Sequence, residues 1–183
     1  MPGPGGLLAL DLSGRTGVAY GHGPIPDWYR LWRFPQPTRG GRFNAFRSEF
    51  VDTIDQWQPS RVAMEAPLHP RAQRDEHSAR QQFGLAAYVE GECDEAGIPC
   101  MERNADEVRR RIIGRTRSRR APPGSARADL FGRAVEQSIK DMVVEHVRRL
   151  GLPIADDNIA DAICLYLAVM SEERHTRIQR MAA

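Results

Sequence analysis

Residues 7–21 read Leu7-Leu8-Ala9-Leu10-Asp11-Leu12-Ser13-Gly14-Arg15-Thr16-Gly17-Val18-Ala19-Tyr20-Gly21. A short apolar run, a Ser-Gly turn and a second run of small and apolar residues predict two antiparallel strands, a β-hairpin. One residue breaks the pattern. Asp11 lies inside an otherwise apolar strand, where a buried charge is costly unless something pairs with it.

Working outward, Tyr29–Phe34 alternates bulky residues and predicts a third strand, stopped by Pro35 and Pro37. The period then changes. Phe43, Phe46, Phe50, Val51, Ile54 and Trp57 recur every three or four residues, an amphipathic helix ended by Pro59. Arg61–Ala66 is a short strand. Glu76–Ala96 is a long helix with Phe83, Leu85, Ala86, Val89 and Cys93 as its core face. Ile98–Glu102 is the fifth strand, and Asp106–Ile113 returns to helix. Residues 114–128, rich in Arg, Pro, Ser and Gly, predict a basic loop. Ser138–Leu150 and Asp157–Glu173 are the last helices, the final one apolar around most of its circumference. This order predicts an α/β domain with a mixed five-stranded sheet flanked by helices, spanning residues 1–183 as one unit.

A second strand carries the same anomaly as the first. Glu65 closes the apolar strand Val62-Ala63-Met64. Asp157 and Asp161 are four residues apart and share one face of the last helix. Four carboxylates on two strands and a helix are the donor set of a two-magnesium site, since hard Mg²⁺ prefers carboxylate oxygen and water. Two such ions clamp the attacking and leaving oxygens of a phosphodiester. Asp156 and Asp157 also stand where either suits an N-cap, so capping and metal binding both stay open for Asp157. Asp161 lies past the first turn, beyond a capping position.

The formal net charge of +2 conceals an asymmetry. Residues 109–127 hold eight arginines and no acid, which points to a polyanionic partner. Lys140 is the single lysine among 26 basic residues. Cys93, Cys100 and Cys164 have no metal-type spacing and read as reduced core thiols of a cytoplasmic protein. Met1–Gly6 lacks the basic start of a secretory signal, and Ala162–Met170 is too short to span a membrane. Trp28, Trp32, Trp57, Phe43, Phe46 and Phe50 fit core packing better than base stacking, and His69 and His77 read as surface residues.

On these residues the chain resembles the RuvC family of Holliday-junction resolvases, within the RNase H-like superfamily. The opening ALDLSGRTGVAYG (9–21) resembles the family's first, metal-binding strand, and VAMEAP (62–67) the strand with its glutamate. RQQFGLAA (80–87) resembles the helix that follows, and DEVRRRIIG (106–114) the basic segment after the next strand. Lys140 in IKDMVVEHV (139–147) resembles the lysine at the start of a later helix. DDNIADAICLYLA (156–168) resembles the closing helix that supplies the last carboxylates. The family spaces its last two aspartates three residues apart. Here Asn158 stands three before Asp161 and Asp157 four before it, so either is the candidate for the fourth ligand. The stretch between Gly114 and Lys140 is longer than in cellular members and more like that of phage or prophage relatives.

The resemblance implies an RNase H-like fold and a homodimer that nicks four-way junctions symmetrically, leaving 5′-phosphate and 3′-hydroxyl ends. Asp11, Glu65 and Asp161, with Asp157 or Asn158, would hold two Mg²⁺, with Mn²⁺ as a substitute. Lys140 would meet the scissile phosphate. Arg109, Arg110, Arg111, Arg115, Arg117, Arg119 and Arg120 would bind the DNA backbone. Competing readings are a flap or branched-DNA nuclease on the same fold and a protein that binds branched DNA without cutting it. A sugar-kinase-like ATPase also opens on an Asp-Gly-Thr hairpin, but the chain is too short for its two domains.

Overall fold

The computed structural model describes residues 3–68, 75–114 and 138–182. Strands β1 (Leu7–Asp11), β2 (Arg15–Gly21) and β3 (Trp28–Arg33) precede helix α1 (Arg39–Trp57). Strand β4 (Arg61–Glu65), helix α2 (Glu76–Glu95), strand β5 (Cys100–Arg103) and helices α3 (Ala105–Ile113), α4 (Ile139–Arg149) and α5 (Asp157–Ala182) follow. The five strands form one mixed sheet, as the pattern of elements predicts, in the order β3-β2-β1-β4-β5. β1 pairs antiparallel with β2 and parallel with β4, and β4 is parallel to β5.

The period of two along each strand sorts the sheet into two cores. Leu8 and Leu10 of β1, Val18 and Tyr20 of β2, and Val62 and Met64 of β4 face α1 and α2, against Phe46, Phe50, Ile54, Trp57, Leu85, Val89 and Cys93. The alternate positions Leu7, Ala9, Ala19 and Ala63 face α3, α4 and α5, against Val108, Val143, Val147, Ile163 and Tyr166. Most sheet residues on this second face are small, which lets α5 lie close against the strands. The same parity carries Asp11 after Ala9, and Glu65 after Ala63, onto the α5 face.

Local chemistry starts the helices where they start. The side chains of Thr38, Asp75, Asn104 and Ser138 accept hydrogen bonds from the backbone N–H groups of Gly41, Ser78, Asp106 and Asp141, capping α1 to α4.

Two expectations need correction. Phe83, expected in the core face of α2, is 44% exposed: the buried residues of that helix are Leu85, Ala86, Val89 and Cys93, and Phe83 lies off their stripe. The last helix runs past Glu173 to Ala182, and its residues 174–181 are exposed. Helix therefore continues beyond the apolar pattern that marked it. The aromatic residues pack as expected, Trp32, Trp57, Phe46 and Phe50 inside one core and Trp28 and Phe43 partly buried against it. Of the predicted loop at 114–128, all but Gly114 lies outside the described residues. The three cysteines are free, with Cys93 and Cys164 buried and Cys100 half-buried. Among the described residues no helix is long and apolar enough to cross a membrane.

Candidate acidic site

Leu10 stands beside Met64 in the parallel β1–β4 ladder, so the next residues, Asp11 and Glu65, leave the sheet side by side at the C-terminal ends of their strands. Both are on the α5 face. Helix α5 brings Asp161 to the same place, and a glycine fixes how close it comes. Gly17 is paired across the hairpin with Asp11, and a Cβ built on it would lie 1.9 Å from the carbonyl oxygen of Asn158. Only a residue without a side chain allows the first turn of α5 to rest on β2 there.

The start of α5 also divides the roles of its acids. The Asp156 carboxylate accepts the Asn158 N–H at 3.0 Å and pairs with Arg15, so Asp156 performs the capping. Asp157 is left to face the site, where its carboxylate pairs with Lys140.

Burial and mutual repulsion dominate the electrostatics. Burial, then the charges of Glu65 and Asp161, push the Asp11 carboxyl well above its usual range. Burial and Asp161 push Glu65 up to about 7. Burial also raises Asp161, against the pull of Arg109. Asp157 moves the other way, because Lys140 donates to it. Two cations thus serve the cluster. The Arg109 guanidinium is 3.4 Å from Asp161, with side-chain exposures of only 19% and 12% for the pair. Lys140 approaches from the start of α4.

No hydrogen bond from a described residue reaches the carboxylate of Asp11 or Glu65. Among the described residues no three His, Cys, Asp or Glu side chains draw together into a ready-made metal cluster. Arg109 acts on all three buried acids, and touches Asp161. The donor chemistry nevertheless fits a hard divalent cation: oxygen-only, buried, and short of positive charge.

Asp11, Glu65 and Asp161 stand within electrostatic reach of one another, and Lys140 pairs with Asp157. Asn158 is at the same turn, with its backbone on Gly17. Arg109, expected on the DNA-facing surface, instead turns inward onto Asp161. It borders the buried stripe of α3, next to Val108, a position that the run of three arginines disguised. Arg110 and Arg111 are exposed, and Arg111 pairs with Glu172 at 3.2 Å. Arg115, Arg117, Arg119, Arg120 and His69 lie outside the described residues. His77 is exposed, its ring 3.4 Å from Arg42. Asp106 adds to the repulsion on Glu65, and sequence spacing did not single it out.

No family model matches the chain, and neither does any curated protein sequence. Solved structures do. The RuvC of Thermus thermophilus in complex with a Holliday junction substrate superposes with a TM-score of 0.65 at 15% identity, over 93% of this chain and 96% of that one. A second structure of Thermus thermophilus RuvC gives 0.64 at 18% identity, over the same shares. The yeast mitochondrial Holliday junction resolvase Ydc2 gives 0.54 at 9% identity, over 98% of this chain and 86% of that one. The chain thus shares its RNase H-like fold with these proteins along nearly its whole length.

Proposed function

We propose that this protein is a structure-selective DNA endonuclease that resolves four-way junctions, acting as a homodimer in the cytoplasm. The observation that carries this reading is the meeting of Asp11, Glu65 and Asp161 on the α5 face, with Arg109 and Lys140 as their only basic partners among the described residues. The likeness in fold to a RuvC bound to a Holliday junction supports the choice of substrate.

Asp11, Glu65, Asp161 and Asp157 would hold magnesium, with manganese as a substitute. The bound ions supply Lewis-acid polarisation of the phosphate and a water acidic enough to attack it. The protein's own groups do the rest. Raised carboxyl pKa values mean that Asp11 and Glu65 release protons as the cations bind. Lys140, on leaving Asp157, would meet the scissile phosphate and stabilise its growing charge. Asp157 is favoured over Asn158 as the fourth ligand because its carboxylate already lies within electrostatic reach of Asp161.

The deciding experiment is magnesium-dependent cutting of a synthetic four-way junction, with flap and linear duplex DNA as controls, for wild type and Asp11→Asn. Paired nicks in the junction alone, lost in the variant, are expected. Cutting of flaps alone would make the protein a flap nuclease. Tight junction binding without cutting would make it a non-catalytic binder of branched DNA.

A further inference from the structure

Two cavities lie end to end along the β5 edge of the sheet. One, of about 460 Å³, is lined by Arg103, Arg110, Arg111, Glu107 and Glu172 over a floor of Val108 and Ala168. The other, of about 660 Å³, shares Arg103 and Glu172 and continues past Arg177 and Arg180 on the exposed end of α5. Together they form one furrow. It begins close to the acidic site, because Arg103 is the ladder partner of Glu65.

The furrow's charges fall into two groups. Glu172 bridges two arginines, taking hydrogen bonds from Arg103 at 3.1 and 3.3 Å and lying 3.2 Å from Arg111. That bridge fastens β5, α3 and α5 together and serves the fold. Arg110, Arg177 and Arg180 pair with no carboxylate of a described residue. Arg177 and Arg180 sit on a helical extension that buries nothing, so packing does not explain them. Their spacing of three puts them on one side of the helix. From Asp161 to Arg180 the helix rises about 28 Å, or roughly eight nucleotide steps of a duplex strand.

We propose that this furrow is a second DNA-backbone site, which holds one duplex arm of the branched substrate through Arg110, Arg177 and Arg180. The inference rests on the DNA-binding part of the proposed function. Charge complementarity selects the occupant: guanidinium groups that pair with no carboxylate of a described residue line both cavities, and guanidinium recognises phosphate.

The test is affinity of the full chain for a fluorescent four-way junction in EDTA, measured across a salt series. Each lost phosphate contact lowers the slope of log K against log salt by about 0.9. The triple variant Arg110→Ala, Arg177→Ala, Arg180→Ala should therefore lose about 2.7 from the slope and bind more weakly at low salt. A control variant, Arg30→Ala, Arg33→Ala, Arg47→Ala, removes the same charge from β3 and α1 at the other side of the fold, and should keep most of the slope. An unchanged slope in the furrow variant, or an equal loss in the control, overturns the inference. Failure of the wild type to bind any DNA overturns it together with the proposed function. Binding without cutting in magnesium would remove the nuclease reading alone, with the furrow still judged on its slope.

Discussion

The carbonyl oxygen of Asn158 occupies the space that a side chain on Gly17 would need, 1.9 Å from the Cβ position. Gly17 is in turn the cross-strand partner of Asp11. The contact therefore sets the height of α5 over the hairpin, and with it the distance from Asp161 to Asp11. Gly17→Ala should cost about 3 kcal/mol or more, because the neighbour is backbone and cannot swing aside. It should also weaken Mn²⁺ binding, measured by calorimetry below the melting temperature. Normal metal affinity in a destabilised Gly17→Ala protein would mean that α5 is positioned by other contacts.

The metal-free protein should be most stable in mild acid. Burial and Asp161 raise the Glu65 carboxyl from its ordinary range to about 7, and Asp11 is raised as well. Between its ordinary range and about 7, Glu65 holds more protons in the native state than in the unfolded chain, so its contribution to stability falls as pH rises and is lost above about 7. For Glu65 alone the change is on the order of 3 kcal/mol. Chemical denaturation in EDTA at pH 5 and pH 8 measures it. Glu65→Gln should flatten the profile, and an equally steep profile in that variant would place the titrating group elsewhere.

Asp11→Asn should separate function from stability. Removing one of the crowded charges should raise the melting temperature in EDTA by about 2–6 °C. Junction cutting in magnesium should fall by about 10³-fold. A variant that melts earlier than wild type would show that Asp11 supports the fold, not the metal centre alone.

Arg109 is the resident counter-cation of the cluster, through its contact with Asp161. Arg109→Gln should cost about 2 kcal/mol without metal, less than a fully buried pair would. Magnesium should then stabilise the variant more than it stabilises the wild type, since the ion replaces a missing charge. Melting with and without magnesium at one pH provides the comparison, and an equal gain in both proteins would count against this role.

Neighbouring acids should respond differently. Asp156→Ala removes the α5 cap and should cost about 1 kcal/mol while leaving Mn²⁺ affinity intact. Asp157→Asn should change stability little and weaken Mn²⁺ binding tenfold or more. Calorimetry on the two proteins checks both, and the opposite pattern would exchange their roles.

The sequence by itself determined the strand and helix order, the mixed sheet and the four carboxylates, because each rests on a local signal. Short apolar runs mark β1 and β4, period 3.6 marks α1, a long apolar stretch marks α5, and a charge in an apolar strand marks Asp11 and Glu65. Three features were decided only by the tertiary structure. Arg109 looked like one of three surface arginines until α3 packed its side chain against Asp161. Capping passed to Asp156 and left Asp157 for the site only once Lys140 came within reach from α4. The furrow needed β5, α3 and α5 brought together. The physical reason is common to all three. Secondary structure follows from near neighbours along the chain, whereas the partner of a charge depends on which distant helix the hydrophobic cores draw against the sheet.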